Sequence, residues 1–416
     1  MGKRAIISIP LIVILLAGIV ATVFLMNYKI SAPNINVAQR IGAYSKPAVV
    51  RVVDAAYVKW DYSYVDIPEI YAFIAARGGQ TLIGGMGSGA IISSNGYIVT
   101  NAHVVELTRK SDQDIATAAL KQLSYEVAAY YNLPADAVAE YIFSRVAYTG
   151  VQKMQKVFLP NNETPYDSDV KSYGAPVGDG KDVAVLKIDG KNLPTIPMGD
   201  SDGLQLQEDI WVIGYPAAGD SDVLSTESML VSSITAGQVS ATDKKSSQGS
   251  PVIQVSAAAT HGNSGGPVIN KDGKIVGLLT FRGNTVNGSE VQGFNFAVPS
   301  TTVNEYISQA GAKPGLGQID TLYREGLELY WGGYYKEALD RFQKVQQLFD
   351  KHSEIKKLIS DSQAKMGQSK TYWPGYALYF YIFDGVAVVA IIFLVVFGFI
   401  LKPKKDPEPV EENSVE

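Results

Sequence analysis

The 416-residue chain contains no cysteine and only three histidines, His103, His261 and His352. The first absence excludes disulfide staples, thiolate zinc sites and cysteine nucleophiles, and the second leaves little material for a histidine-rich metal centre. Nor is there an excess of positive charge. With 36 Lys and Arg against 41 Asp and Glu, the formal net charge is −5, which lacks the basic surplus that phosphate backbones select, so nucleic acid is not an expected partner. No cofactor motif appears, and none is expected. What the chain has in quantity is apolar residues, 46% against 19% charged, enough for a large core.

Part of that apolar content lies in two long runs. After Lys3 and Arg4, an unbroken stretch runs from Ala5 to Met26, long enough as a helix to cross a hydrocarbon layer of roughly 30 Å. It exceeds the roughly 7–15-residue apolar core of a cleaved signal, and Phe24-Leu25-Met26-Asn27-Tyr28 is a poor cleavage site, so a retained anchor is expected. A second run, about Tyr376 to Leu401, ends at Lys402-Pro403-Lys404-Lys405. The positive-inside rule then puts both termini on the cytoplasmic side and the body between them across the membrane. Tyr372, Trp373, Tyr376, Tyr379 and Tyr381 suit the outer interface, and Asp384, near that end of the span, is expected to reach headgroups or water.

Between the runs, from Ala48 to about Val298, short apolar or alternating segments are cut by turn pairs such as Asn95-Gly96 and Asp272-Gly273. Many short antiparallel strands imply a barrel or sandwich. Two stretches change period. The first, about 111–148, predicts an inserted helical hairpin around Asn132-Leu133-Pro134, followed by a polar loop through Asn161-Asn162-Glu163-Thr164 to Gly178-Asp179-Gly180. The second, Ile319 to Lys365, predicts two antiparallel helices and a tail, and Gly326, Tyr330, Gly333, Tyr335, Ala338 and Phe342 resemble a single tetratricopeptide unit. Since such arrays generally need about three repeats, a docked helical spacer is the expected role.

Three segments can carry chemistry. His103 ends the apolar strand Tyr97-Ile98-Val99-Thr100, Asp182 directly precedes the core strand Val183-Ala184-Val185-Leu186, and Ser264 sits in Gly262-Asn263-Ser264-Gly265-Gly266-Pro267. Each alone has a plain structural explanation. Together they supply a hydroxyl nucleophile, an imidazole base and a carboxylate to orient the base, with backbone N–H groups from Gly262, Asn263 and Ser264 as an oxyanion hole.

Thr100-Asn101-Ala102-His103-Val104-Val105, Asp182-Val183-Ala184-Val185-Leu186 and the Gly262–Pro267 turn resemble the motifs of the HtrA/Deg family of serine proteases, in the family's order. Gly199-Asp200-Ser201, Val212-Ile213-Gly214-Tyr215-Pro216 and Gly293-Phe294-Asn295-Phe296-Ala297-Val298-Pro299 add to the likeness, which covers roughly residues 45–300. The resemblance implies a mainly β chymotrypsin-like double barrel, with His103, Asp182 and Ser264 as a triad in the cleft. It implies a small or apolar substrate pocket, for which Thr260, Leu279 and Phe281 are candidates, and polypeptide substrates cut through an acyl-enzyme. On this reading the chain divides into an anchor (1–27), a protease body (28–312), the tetratricopeptide-like segment (313–370), a second span (374–402) and a cytoplasmic tail (403–416). Relatives usually place a PDZ module where the Ile319–Lys365 helices lie. Candidate partners are a second copy of the chain and a protein docked on those helices. The expected activity is membrane-anchored endoproteolysis of unfolded or membrane-proximal proteins in quality control or regulated cleavage. The alternatives are a non-catalytic chaperone or a scaffold that keeps the fold.

Overall fold

The computed structural model describes residues 3–30, 32, 34–217, 225–282 and 293–400. The Lys402–Lys405 cluster and the 403–416 tail lie outside them. Two units are distinct: 33–327 with 338–364, and the terminal segments 1–32, 328–337 and 365–416.

The larger unit holds twelve strands in two closed six-stranded barrels. The first comprises β1 (Val49–Asp61), β2 (Gln80–Ser93), β3 (Tyr97–Thr100), β4 (Ala147–Phe158), β5 (Tyr166–Tyr173) and β6 (Ala184–Ile188), in the order β1-β2-β3-β6-β5-β4. The second comprises β7 (Asp209–Gly214), β8 (Ser233–Lys245), β9 (Pro251–Val255), β10 (Pro267–Asn270), β11 (Ile275–Arg282) and β12 (Asn295–Pro299), in the order β10-β11-β12-β9-β8-β7. Closure satisfies every edge strand within its own barrel. Val50, Val52, Ile91, Ile98 and Leu186 share one buried face of the first barrel, and Ile210, Val239, Val255, Val276 and Ala297 pack together in the second.

Among the described residues there are ten α-helices. α1 (Lys3–Met26) opens the chain, α2 (Val37–Ser45) precedes β1, and α3 (Pro68–Ala76), with Pro at its first turn, joins β1 to β2. α4 (Asp112–Tyr131) and α5 (Ala135–Arg145) are the expected insertion, broken at Asn132, whose backbone is left-handed (φ 52°). With α3 and the far end of β1 they make a satellite core of Val58, Trp60, Phe73, Ile115, Leu123 and Ile142. α6 (Ser300–Gln309) packs on the first barrel through Val303 and Ile307.

One sequence expectation is corrected here. The polar stretch from Asn161 to Gly180 is not one loop: β5 lies within it and, paired with β4 and β6, closes the first barrel with its polar residues on the exposed face. The chain is polar there because β5 alternates exposed with half-buried positions, leaving only Ser172 buried.

Beyond the barrels, α7 (Gln318–Gly332), α8 (Tyr335–Leu348) and α9 (Ile355–Ala364) follow. α7 and α8 run antiparallel, with Arg341 paired to Glu325 at 2.9 Å and the Phe342 ring against Gly326, where a Cβ would come within 2.6 Å. Asp320 ties α7 to the first barrel by accepting from Thr195 N–H (2.8 Å), the Thr195 hydroxyl (2.6 Å) and Gly317 N–H (2.7 Å).

In the terminal unit, α1 packs against α10 (Ala377–Val395). Segments Arg4–Met26 and Trp373–Ile400 are both long and apolar enough to cross a membrane. Asp384 accepts a hydrogen bond from the Thr22 hydroxyl (2.6 Å), so its carboxylate has a partner on α1 where the sequence led one to expect headgroups or water.

Candidate active site

Strand register brings two of the three predicted groups together. β3 and β6 pair antiparallel with Thr100 opposite Ala184, so the chain entering β6 and the chain leaving β3 meet at Asp182 and His103. His103 begins a short 3-10 turn. Its Nδ1 lies 2.7 Å from Asp182 Oδ2, and its backbone N–H donates to Asp182 Oδ1 at 2.9 Å. Asp182 is 2% exposed, and its own carbonyl accepts from the Asn101 amide at 2.8 Å. A carboxylate can only accept, so it fixes the imidazole proton on Nδ1 and leaves the Nε2 lone pair free.

Sequence reasoning missed a further partner of this carboxylate. The Thr280 hydroxyl, on β11 of the second barrel, donates to Asp182 Oδ2. A buried carboxylate thus receives donors from both barrels, which offsets the cost of its desolvation. Thr280 lay unremarked in an apolar strand, and only the barrel pairing reveals its neighbour.

Ser264 lies on the turn between β9 and β10. The turn needs glycine twice, because Gly262 (φ 90°) and Gly265 (φ 82°) adopt backbone that a side chain resists. A Cβ at Gly262 would stand 2.2 Å from the Tyr215 carbonyl, and one at Gly265 2.2 Å from that of Ser88. β11 clamps the turn through Gly265 N–H to Leu279 O (2.8 Å) and Leu279 N–H to Gly266 O (2.9 Å).

A second unforeseen residue, Ser88 on β2, fixes the turn from the first barrel. Fully buried, it donates from its N–H to Ser264 O (2.7 Å) and from its hydroxyl to Gly262 O (2.7 Å), and it accepts from Tyr215 N–H (2.8 Å). Nothing local in the Gly87-Ser88-Gly89 sequence reveals these contacts.

Among the described residues, the N–H groups of Gly262 and Ser264 donate to no other group, whereas Asn263 N–H turns to Thr260 O (3.2 Å). Of the three backbone donors expected from the sequence, two are therefore open in this conformation. The Ser264 hydroxyl donates to Thr280 O at 3.1 Å, and no hydrogen bond to His103 is formed. Serine and imidazole nonetheless line one cavity of about 500 Å³, bounded also by Asp54, Ile83 to Met86, Val104, Glu106, Leu107, Lys110, Ala217, His261 and Gly262.

Of the residues expected to form a substrate pocket, Thr260 and Leu279 are not among the described residues lining this cavity. Leu279 is buried among the apolar side chains of the second barrel, the Thr260 hydroxyl donates to the neighbouring His261 carbonyl, and the Phe281 side chain lies outside the described residues.

A sequence profile of the trypsin-like peptidase domain matches residues 87–278. Over 216 residues, 51% of this chain, the sequence is 32% identical to a protein of Pseudomonas putida named as a DegP-like periplasmic serine endoprotease, of which it covers 32%. A protein of Synechocystis sp. named as the serine protease HhoB is 31% identical over 224 residues, 52% of this chain and 38% of that protein. Among solved structures, the HtrA-type protease AlgW with decapeptide aligns over 66% of this chain and 67% of its own, at 22% identity and a TM-score of 0.41. The chain spans about a third of the length of the curated relatives it matches.

Proposed function

We propose, from the premise that residues 87–278 are a trypsin-like peptidase domain with HtrA/Deg serine proteases as relatives, that this chain is a serine endopeptidase held at a membrane. The observation that carries the reading is the 2.7 Å contact of His103 Nδ1 with Asp182 at the rim of the cavity that Ser264 also lines. Ser264 is the nucleophile, His103 the base and Asp182 the residue that orients it.

In the mechanism, the Ser264 hydroxyl leaves Thr280 O by rotation about its side-chain bond and donates to His103 Nε2. It attacks the scissile carbonyl while its proton passes to the imidazole, and the carbonyl oxygen gains charge against the N–H groups of Gly262 and Ser264. The imidazolium, held by Asp182, returns that proton to the departing amine. Water, deprotonated in turn by His103, then hydrolyses the acyl-enzyme, and the serine regains its proton. The serine hydrogen bond to Thr280 O is read as a resting state.

The apolar helices α1 and α10 support anchoring, with the barrels on the extracytoplasmic side and unfolded or membrane-proximal polypeptides as substrates. The test is digestion of unfolded casein by the full chain in detergent, with cut sites mapped by mass spectrometry. Discrete internal cuts that disappear in Ser264→Ala are expected, with turnover falling about 10⁴–10⁶-fold. Equal digestion by both proteins would overturn the proposal.

A further inference from the structure

The cavity beside His103 is lined by a buried carboxylate one of whose two oxygens has no hydrogen-bond partner. Asp54, at mid-length in β1 and opposite Gly85 of β2, is 2% exposed and lines the cavity wall. Its Oδ2 accepts from Thr108 N–H at 3.2 Å, while its Oδ1 is buried without a hydrogen-bond partner. Neighbouring cations are engaged elsewhere. Lys110 pairs with Glu106 at 2.9 Å, Lys153 pairs with Asp112 at 3.0 Å, and Arg109 stacks on the Tyr173 ring. Burial pushes the Asp54 carboxyl up, against the hydrogen bonds from Thr108 and Leu107 that pull it down, and nearby Glu106 adds to the rise. Each such unpaired buried acceptor normally calls for a group that the fold leaves to something else.

The cavity's position says which part of a substrate reaches it. Its walls are the residues following His103 and the Ile83–Met86 stretch of β2, and none of the β11 residues beside Ser264 contributes. Because the imidazole must hand its proton to the departing amine, the polypeptide released first lies on the His103 side. This rests on the peptidase reading above for its direction, though not for the pocket itself.

We infer that Asp54 selects a cationic side chain, lysine or arginine, at the first or second residue after the scissile bond, with its unpartnered Oδ1 accepting from the ammonium or guanidinium. The apolar Ile83 and Leu107 and the backbone of Gly84 and Gly85 would receive the aliphatic stem. Glu106, shared with Lys110 at the mouth, adds negative potential along the approach.

Binding of fluorescent peptides to the full chain carrying Ser264→Ala tests this without requiring hydrolysis. The peptides are identical except that both positions after the cut site found in casein hold lysine, norleucine or glutamate. The lysine peptide is expected to bind about tenfold tighter than the norleucine peptide, as befits one charge-assisted hydrogen bond, and the glutamate peptide weakest. Adding Asp54→Asn should bring the lysine-to-norleucine ratio to about one. A ratio near one in the parent protein, or a tenfold ratio that survives Asp54→Asn, overturns the inference. The parent ratio needs no change at Asp54, so it decides the matter even if that variant does not fold. Should wild-type protein cut none of the peptides while the parent still prefers lysine tenfold, the peptidase proposal falls and the cationic pocket stands.

Discussion

Replacing Ser88 by alanine removes a single oxygen that links the first barrel to the turn bearing Ser264. The oxygen donates to Gly262 O at 2.7 Å and accepts from Tyr215 N–H at 2.8 Å, with the serine fully buried. Loss of it strands one buried acceptor and one buried donor, each costing about 1–3 kcal/mol, for a combined destabilisation of about 2–6 kcal/mol. Water cannot readily take its place. Gly214 packs so near that a Cβ there would lie 2.8 Å from the Ser88 oxygen, and the vacated space is smaller than one water's share of liquid volume, about 30 Å³. For a unit of this size the midpoint of thermal unfolding should fall by about 3–9 °C. Gly262 also loses the contact on its carbonyl, which holds the Gly262–Asn263 peptide between the two open N–H donors of Gly262 and Ser264 facing the proposed oxyanion. Since deleting one such donor outright costs about 10²–10³ in rate, loosening it should slow acylation about 10- to 100-fold. Thermal unfolding, together with the rate of phosphonylation of Ser264 measured well below the midpoint, separates the two effects. An unchanged midpoint with an unchanged rate would refute the reasoning, and a lowered midpoint with a wild-type rate would confine Ser88 to a structural role.

Thr280→Val keeps the shape but deletes the hydroxyl that donates to Asp182, and peptide turnover should fall about tenfold and be restored by Thr280→Ser. Equal turnover by all three proteins would show that Asp182 needs no third donor. His352 is buried against the Tyr323 ring at 4.3 Å, and burial holds its pKa at about 3 against an ordinary 6.5. The folded chain therefore refuses a proton that the unfolded chain accepts. The contribution of neutral His352 is complete above pH 6.5 and is lost as pH falls toward 3, by about 2 kcal/mol at pH 5. Unfolding of wild type and His352→Phe at pH 7.5 and pH 5 should show the larger acid loss in the wild type, whereas parallel losses would contradict the assignment.

The barrels and the separate parts of the site were legible in the sequence to different depths. His103, Asp182 and Ser264 each stand in a short, locally distinctive segment, and the β3–β6 register then puts the first two in contact. The helical insertion was legible from its 3.6-residue spacing, with α4 and α5 falling inside the expected 111–148. β4 and β5 were not, because strands with exposed faces in a region rich in Lys, Asp and Asn look like loop when read alone. Thr280, Ser88 and Asp54 escaped for one shared reason. Their partners lie 98, 174 and 54 positions away respectively, so closure of the barrels creates their roles and no local pattern announces them. Leu279, a pocket candidate, is placed by the same closure. Leu279 neighbours Thr280 in the chain, but alternation along β11 turns it inward to the barrel core.

The central claim is that His103, Asp182 and Ser264 act as one hydrolytic unit. Its most direct test is reaction of the full chain with a fluorophosphonate, followed by peptide mapping of the adduct. A single adduct on Ser264 is predicted, formed at least 10³-fold more slowly in His103→Ala and absent in Ser264→Ala. No adduct, or one that forms on Ser264 as fast without the imidazole as with it, would contradict the account.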